Sequence, residues 1–288
     1  MSLLTITPTL PGQANGVAWR PQGDLIAVVH EVSPFLTVVR TSDGEVDAGW
    51  PTLASIGYGV AWSPDGSRLA VAHSSGDRLT VVNAATRAVE GGWPTLDGTA
   101  SFAVAWSPDG SRLAAGHRDS PFLTVVNAAT RAVEGGWPTL PFRGYGVAWS
   151  PDGSRLAVAH ADSPFLTVVD TSTGLAESGW PTLVSQGSGV AWSPDGSLLA
   201  VAYSSGDRLT VVDTSTGLAE SGWPNLPGFG RGVAWSPDGS LLAVAHNGGE
   251  GLTVIDTSTK QPETGWSAAG GNNYGVAFAW DPGNSLSG

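Results

Sequence analysis

Twelve of the chain's thirteen tryptophans fall into two series that share one period. Trp19, Trp62, Trp106, Trp149, Trp192 and Trp235 each end the string GVAW or a close variant, at steps of 43, 44, 43, 43 and 43 residues. Trp50, Trp93, Trp137, Trp180, Trp223 and Trp266 stand in GWP or a close variant and keep the same steps. A period of this length marks a supersecondary unit that buries its apolar faces only against its neighbours. The remaining tryptophan, Trp280, lies in GVAFAWDPG, where Phe278 takes the place 43 residues after Trp235. A seventh copy of the unit is expected to begin there and stop.

Within the unit that starts at Gly59, GVAWSPDGSRLAVAH alternates in polarity and pivots on Pro64, Asp65 and Gly66. Those are the residues of a tight hairpin turn, with glycine at the left-handed position. This predicts strands a and b. Leu79 to Val82, LTVV, is rich in β-branched residues and predicts strand c, and GWPTL at Gly92 to Leu96 is expected to form a short strand d. Proline would confine strand d to a sheet edge. With 40 Gly, 20 Pro and no long helix-forming run, the composition is all-β. Four antiparallel strands every 40-odd residues is the period of a β-propeller blade.

The string VAWSPDGSRLA resembles the VAFSPDG-x-x-LA core of WD40-type blades, and the match recurs in six units over nearly the whole chain. The Trp-Asp dipeptide that ends strand c in that family is here Val82-Asn83 or Val169-Asp170, and the Gly-His before strand a is absent. The family's hydrogen-bond tetrad is therefore not expected to carry over. With AVAH and SPFLTVV, the units are also similar to propeller repeats of some phage tail and virion-associated proteins, which implies attachment or decoration.

The expected architecture is one propeller domain over 1–288, with repeat units near 16–58, 59–102, 103–145, 146–188, 189–231 and 232–274. Seven blades are expected, with six as the alternative. Leu3 to Thr7 resembles strand c, Thr7 to Leu10 resembles GWPTL, and Asn284 to Leu286 is a candidate start for strand b. Residues 1–10 and 275–288 would then complete one split seventh blade and remove the open edge of the ring.

A formal net charge of −12 and a pI near 4.6 disfavour phosphate backbones and anionic lipid surfaces as partners. No nucleic acid and no membrane insertion are expected. The absence of cysteine excludes disulfides and thiolate-ligated zinc. The start MSLLTITPTL lacks the pattern of a classical signal peptide, which leaves a cytoplasmic or virion-associated location open.

Strand a runs from the d–a connection to the a–b turn, and strand b returns. The d–a and b–c loops therefore share one face, and the a–b and c–d loops share the other. The a–b turn is SPDGS in five of six full copies, the first being RPQGD, and the c–d loops recur in two near-fixed versions, NAATRAVEGGW and DTSTGLAESGW. The d–a/b–c face varies, with b–c loops EVSPF, SSGDR, RDSPF, ADSPF, SSGDR and NGGEG. Loops that vary on a constant frame are where binding is expected, although loops also tolerate change without function.

Candidate ligand-binding residues follow from that face. Phe35, Phe122 and Phe165 come from the SPF loops, and Tyr58, Phe142 and Tyr145 from the d–a connections, with Phe102, Phe229 and Tyr274 as further aromatics there. Beside Asp119, Asp162 and Arg143 their flat surfaces suit sugar rings or a protein partner, or else they pack between blades. Histidine ends strand b at His30, His73, His117, His160 and His246, with Tyr203 in the remaining unit. His73, His117 and His160 are kept as candidates for a pocket repeated from blade to blade. The other reading is structural hydrogen bonding of the rings to adjacent loops. Rings on separate blades stand about 10 Å apart rather than within the ~2 Å of metal bonds, so no metal site is expected.

Neither cofactor nor catalysis is expected. Every Asp of SPDG recurs in a turn that explains it, no HExxH or GxSxG occurs, and the innermost strand offers Gly59, Ala61, Gly146 and Ala148 rather than charged groups. The first functional reading is a multivalent binding module for a surface glycan on the d–a/b–c face. The second is a protein–protein scaffold, and the third is an enzyme using the central channel.

Overall fold

The computed structural model describes residues 11–96, 98, 100–205, 208–247, 251–264 and 266. Among them every regular element is a β-strand, and the strands form six antiparallel sheets, one per repeat. Strands a, b and c of the second unit are Gly57–Trp62, Arg68–His73 and Leu79–Asn83, paired in that order. The expected split blade, 1–10 with 275–288, lies outside the described residues.

The hairpin between strands a and b closes on its own side chains. Gly66, at a φ of 66°, donates its amide to the Ser63 carbonyl at 2.8 Å. The Asp65 carboxylate accepts the Ser63 hydroxyl at 2.6 Å and the Ser67 amide at 3.0 Å. Such an Asx-type turn specifies the SPDGS string locally, before any blade packs.

Strand d is not where the sequence places it. It is Leu175–Ala176, Leu218–Ala219 and Gln261–Pro262 in the last three units, and the single bridges Val39–Val46, Val82–Val89 and Val126–Val133 in the first three. GWPTL follows it as a segment outside the ladder, because proline has no amide to give, and it is anchored by its tryptophan, its leucine and one main-chain bond. Its tryptophan meets the strand-a tryptophan of the next unit edge to face, as Trp50 does Trp62 at 5.6 Å and 89°. Its leucine is buried, and the Leu96 amide reaches the Asp77 carbonyl of the b–c loop at 3.0 Å.

The core lies between blades. Strand b is buried on both faces, with Leu69, Ala70, Val71 and Ala72 all at 0% exposure. Ala70, Ala72, Leu79 and Val81 of one blade pack on Trp106, Leu113 and Ala115 of the next. Each buried leucine contributes about 2 kcal/mol by apolar burial alone. Strand a of each sheet packs on strand a of the next, which makes it the innermost strand. The Trp106 indole donates across this seam to the Ala61 carbonyl at 3.3 Å, and Trp149, Trp192 and Trp235 repeat the bond.

The faces sort as the topology requires. The b–c loop is bonded to the d–a loop, for example Ser74 N–H to Ile56 O at 3.0 Å. The c–d loop is bonded to the a–b turn, for example Ala84 N–H to Ser67 O at 2.8 Å.

Candidate functional site at the axial mouth

Strand a carries one residue too many. In the second unit Gly57 pairs with His73 and Gly59 with Ala72, so Tyr58 has no partner on strand b. The same register shift isolates Asn15, Phe102, Tyr145, Ser188 and Arg231. A β-bulge bends its strand and re-aims the extra side chain. Here it delivers one residue per blade to the same place, a cavity of about 260 Å³ on the d–a/b–c face, lined by all six.

The flanking glycines make this possible. A Cβ on Gly59 would stand 2.8 Å from Phe102 O, and one on Gly189 would stand 2.8 Å from Arg231 O. At these glycines the neighbouring innermost strands approach too closely for a side chain, and the column tolerates nothing larger than Ala103, so the bulged residue is the one that projects.

The lining is two-sided. Tyr58 and Phe102 lie 5.4 Å apart and Phe102 and Tyr145 5.0 Å apart, giving three consecutive blades a continuous aromatic arc. Asn15, Ser188 and Arg231 face it, joined by Glu31 and Gln186 from adjacent loops. The Asn15 amide is held by Gly57 O at 2.9 Å, whereas the buried Ser188 hydroxyl oxygen has no hydrogen-bond partner among the described residues. A π surface opposite donors and acceptors of both charges suits recognition of a single flat or amphipathic group.

Of the residues singled out from sequence, the structure brings Tyr58 and Tyr145 together, with Phe102 between them. These sit within strand a rather than in the d–a connection. Phe35, Phe122 and Phe165 occupy the last position of their b–c loops at φ values of 66–67°, half-buried against separate blade cores. Phe142 is exposed and stacks on Phe122 at 6.3 Å, away from the mouth lining. Asp119 and Asp162 close their loops through their carbonyls, which accept Phe122 N–H at 2.8 Å and Phe165 N–H at 2.7 Å.

The histidines are interior. His73, His117 and His160 are buried, and each Nε2 pairs with the hydroxyl of strand-c Thr80, Thr124 or Thr167 at 2.9–3.0 Å. His30 and His246 do the same, and Tyr203 substitutes its own hydroxyl, 3.0 Å from Thr210. Burial lowers the pKa of His30, His73 and His160, so these rings are held neutral. Nε2 thus bonds the neighbouring strand, and the His73 Nδ1 also reaches the Ser75 carbonyl of the b–c loop at 2.7 Å, in line with the structural reading. Among the described residues no group of three potential ligands is placed to hold a metal.

Sequence reasoning overlooked Asn15, Glu31, Gln186, Ser188 and Arg231, and Arg231 corrects the expectation of an uncharged innermost strand. A signal was present. The residue immediately before VAW is Gly or Ala in every full unit, while the one before that reads Asn, Tyr, Phe, Tyr, Ser, Arg. One variable column inside a constant strand marks a side chain that no neighbour specifies.

No family model matches the sequence, and no curated protein sequence is significantly similar to it. Solved structures do share its fold. A chain of the mitotic checkpoint complex superposes with a TM-score of 0.76 at 18% identity, covering 96% of this chain and 89% of that one. Hydrazine synthase from Kuenenia stuttgartiensis gives 0.73 at 18% identity, covering 90% and 80%. At that identity the likeness is one of fold, and neither match extends the resemblance to phage tail proteins. Both neighbours have β-propeller or WD40-type folds, and among its described residues this chain is all-β with repeated small antiparallel sheets consistent with a β-propeller.

Proposed function

We propose that the chain is a non-catalytic binding scaffold that receives a protein partner over the axial mouth. The observation that carries this is the bulge column, which presents a different side chain from each blade at one shared cavity while the surrounding strand stays constant. A volume of about 260 Å³ is at or below the usual range for enclosed small-molecule sites, and fits one inserted side chain with further contacts on the flanking loops. A propeller neighbour from a protein assembly agrees with such a role.

A glycan is the second reading, favoured by the arc of Tyr58, Phe102 and Tyr145, on which one sugar ring would stack. The version with one site per blade is weaker, since Phe35, Phe122 and Phe165 are engaged in separate cores. Decoration of a virion rests on the repeat resemblance alone.

The test compares wild type with Tyr58→Ala/Phe102→Ala/Tyr145→Ala, first as bait in the native extract and then on a glycan array. A stoichiometric protein captured by wild type and lost by the triple variant supports the first reading. Array signal lost in the same way supports the second, and a ligand held equally by both proteins removes the mouth as the site.

A further inference from the structure

The first a–b turn, RPQGD at Arg20–Asp24, shows what fits between blades on the opposite face. Arg20 donates Nε to Gly66 O of the next turn at 2.9 Å, and its guanidinium lies 5.5 Å over the Trp62 ring. Asp24 holds the outer end of the same guanidinium at 2.9 Å, and Gln22 donates to Asp65 O at 2.8 Å. Planar stacking combined with an in-plane hydrogen bond is specific to arginine.

Where SPDGS replaces RPQGD, serine stands in place of Arg20 and is too short to fill that space. Between the third and fourth turns a cavity of about 340 Å³ opens, and between the fourth and fifth one of about 170 Å³. Trp149 and Gly153 in the first, and Trp192 and Gly196 in the second, stand where Trp62 and Gly66 hold Arg20. Carboxylates line both, Asp109 and Asp152 in one, Asp152 and Asp195 in the other. The cation at the first wall, Arg112, is already paired with Glu134 at 3.0 Å. The cavities thus repeat an arginine site without its arginine, on a chain of net charge −12.

We propose that these two inter-blade pockets are binding sites for arginine side chains, taken from a basic segment of a partner protein. Each guanidinium lies over the Trp149 or Trp192 indole and donates to the adjacent turn carbonyl, with the aspartates as counter-charge. Lysine can lie over an indole and donate to a carbonyl, as Lys260 does over Trp223, but it lacks the planar fork that stacks flat and reaches the carbonyl and the carboxylate together. The sites lie on the opposite face from the axial mouth and do not depend on it.

Calorimetric titration with hexa-arginine and hexalysine peptides of equal charge tests this. Wild type should bind hexa-arginine about tenfold more tightly. Transplanting the first turn into both interfaces (Ser107→Arg, Asp109→Gln, Ser111→Asp with Ser150→Arg, Asp152→Gln, Ser154→Asp) should abolish that preference. A control with the same added charge on the opposite face, Val32→Arg/Val184→Arg, should keep it. The reverse change, Arg20→Ser/Gln22→Asp/Asp24→Ser, opens a further pocket and should tighten hexa-arginine binding about twofold for one added site. Equal affinity for the two peptides, or a preference that survives the transplant, overturns the proposal. If the transplanted protein does not fold, hexa-arginine affinity unchanged by the reverse variant overturns it.

Discussion

The two faces of the propeller differ in what closes their loops. On the a–b/c–d face main-chain bonds such as Ala84 N–H to Ser67 O also join the loops, but each loop is closed in addition by its own side chains. Ser107 and Ser111 hydroxyls bind Asp109 at 2.6 and 2.7 Å, and the Asn83 and Asp170 side chains cap their own c–d loops. On the other face the b–c and d–a loops are tied mainly through main-chain bonds, such as Arg118 N–H to Ala100 O at 2.9 Å and Ala161 N–H to Arg143 O at 3.1 Å. A loop secured by its backbone accepts many side chains, and one secured by a serine and an aspartate does not. Sequence constancy on one face and variation on the other follow from that difference.

The sharpest way to break the comparison is at the axis, where the variable and constant columns are adjacent. Gly59→Val drives a branched side chain into Phe102 O and Ala103 and should cost about 3 kcal/mol, read as a lower denaturation midpoint. A midpoint equal to wild type would mean that the strands can separate and that the glycine column is not a packing requirement.

Acid should separate the interior histidines from the turn aspartates of the a–b face by pH. Burial depresses the folded pKa of His30, His73 and His160 below 6.5, so their contribution is intact above 6.5 and declines as the pH falls beneath it. The turn aspartates are depressed by serine hydroxyl and amide donors, Asp109 from 3.8 to about 2, and Asp65, Asp152, Asp195 and Asp238 in the same direction. Their stabilisation is complete above 3.8 and is lost as the pH falls through the folded values. Urea midpoints should therefore decline in two stages, one below 6.5 and a second below about 4. A single stage would remove either the interior histidines or the turn aspartates as contributors to stability.

Single changes come next. Asp109→Ala removes three hydrogen bonds of one exposed turn and should cost about 1 kcal/mol after solvent screening, measured by thermal unfolding. Tyr58→Ala should change stability least, by under about 0.5 kcal/mol, because the bulged residue has no partner strand. A larger loss would mark Tyr58 as a packing residue and weaken the mouth as a binding site.

Much of this was legible along the chain because it is local or periodic. Strands a, b and c, the SPDG hairpin and the assignment of loops to faces need only alternation, turn chemistry and chain direction. Strand d was misplaced because Leu175 and Ala176 look like loop, and their pairing with Asp170 and Val169 depends on the tight return through Thr171 to Gly174. The binding candidates divided in the same way. Tyr58 and Tyr145 were visible as aromatics on the variable face, whereas the convergence of Asn15, Ser188 and Arg231 with them was not, since it depends on a register slip repeated in each blade.

By itself, then, the sequence determined a tandem array of small antiparallel sheets and the constancy of one face, since both follow from contacts within a single unit. Only the tertiary structure decided that the histidines are interior, that GWPTL is an inter-blade clasp rather than a strand, and that Arg20 fills a space its counterparts leave open. Each of those is a contact between elements of different strands or blades, and a repeat read one unit at a time does not contain its neighbour.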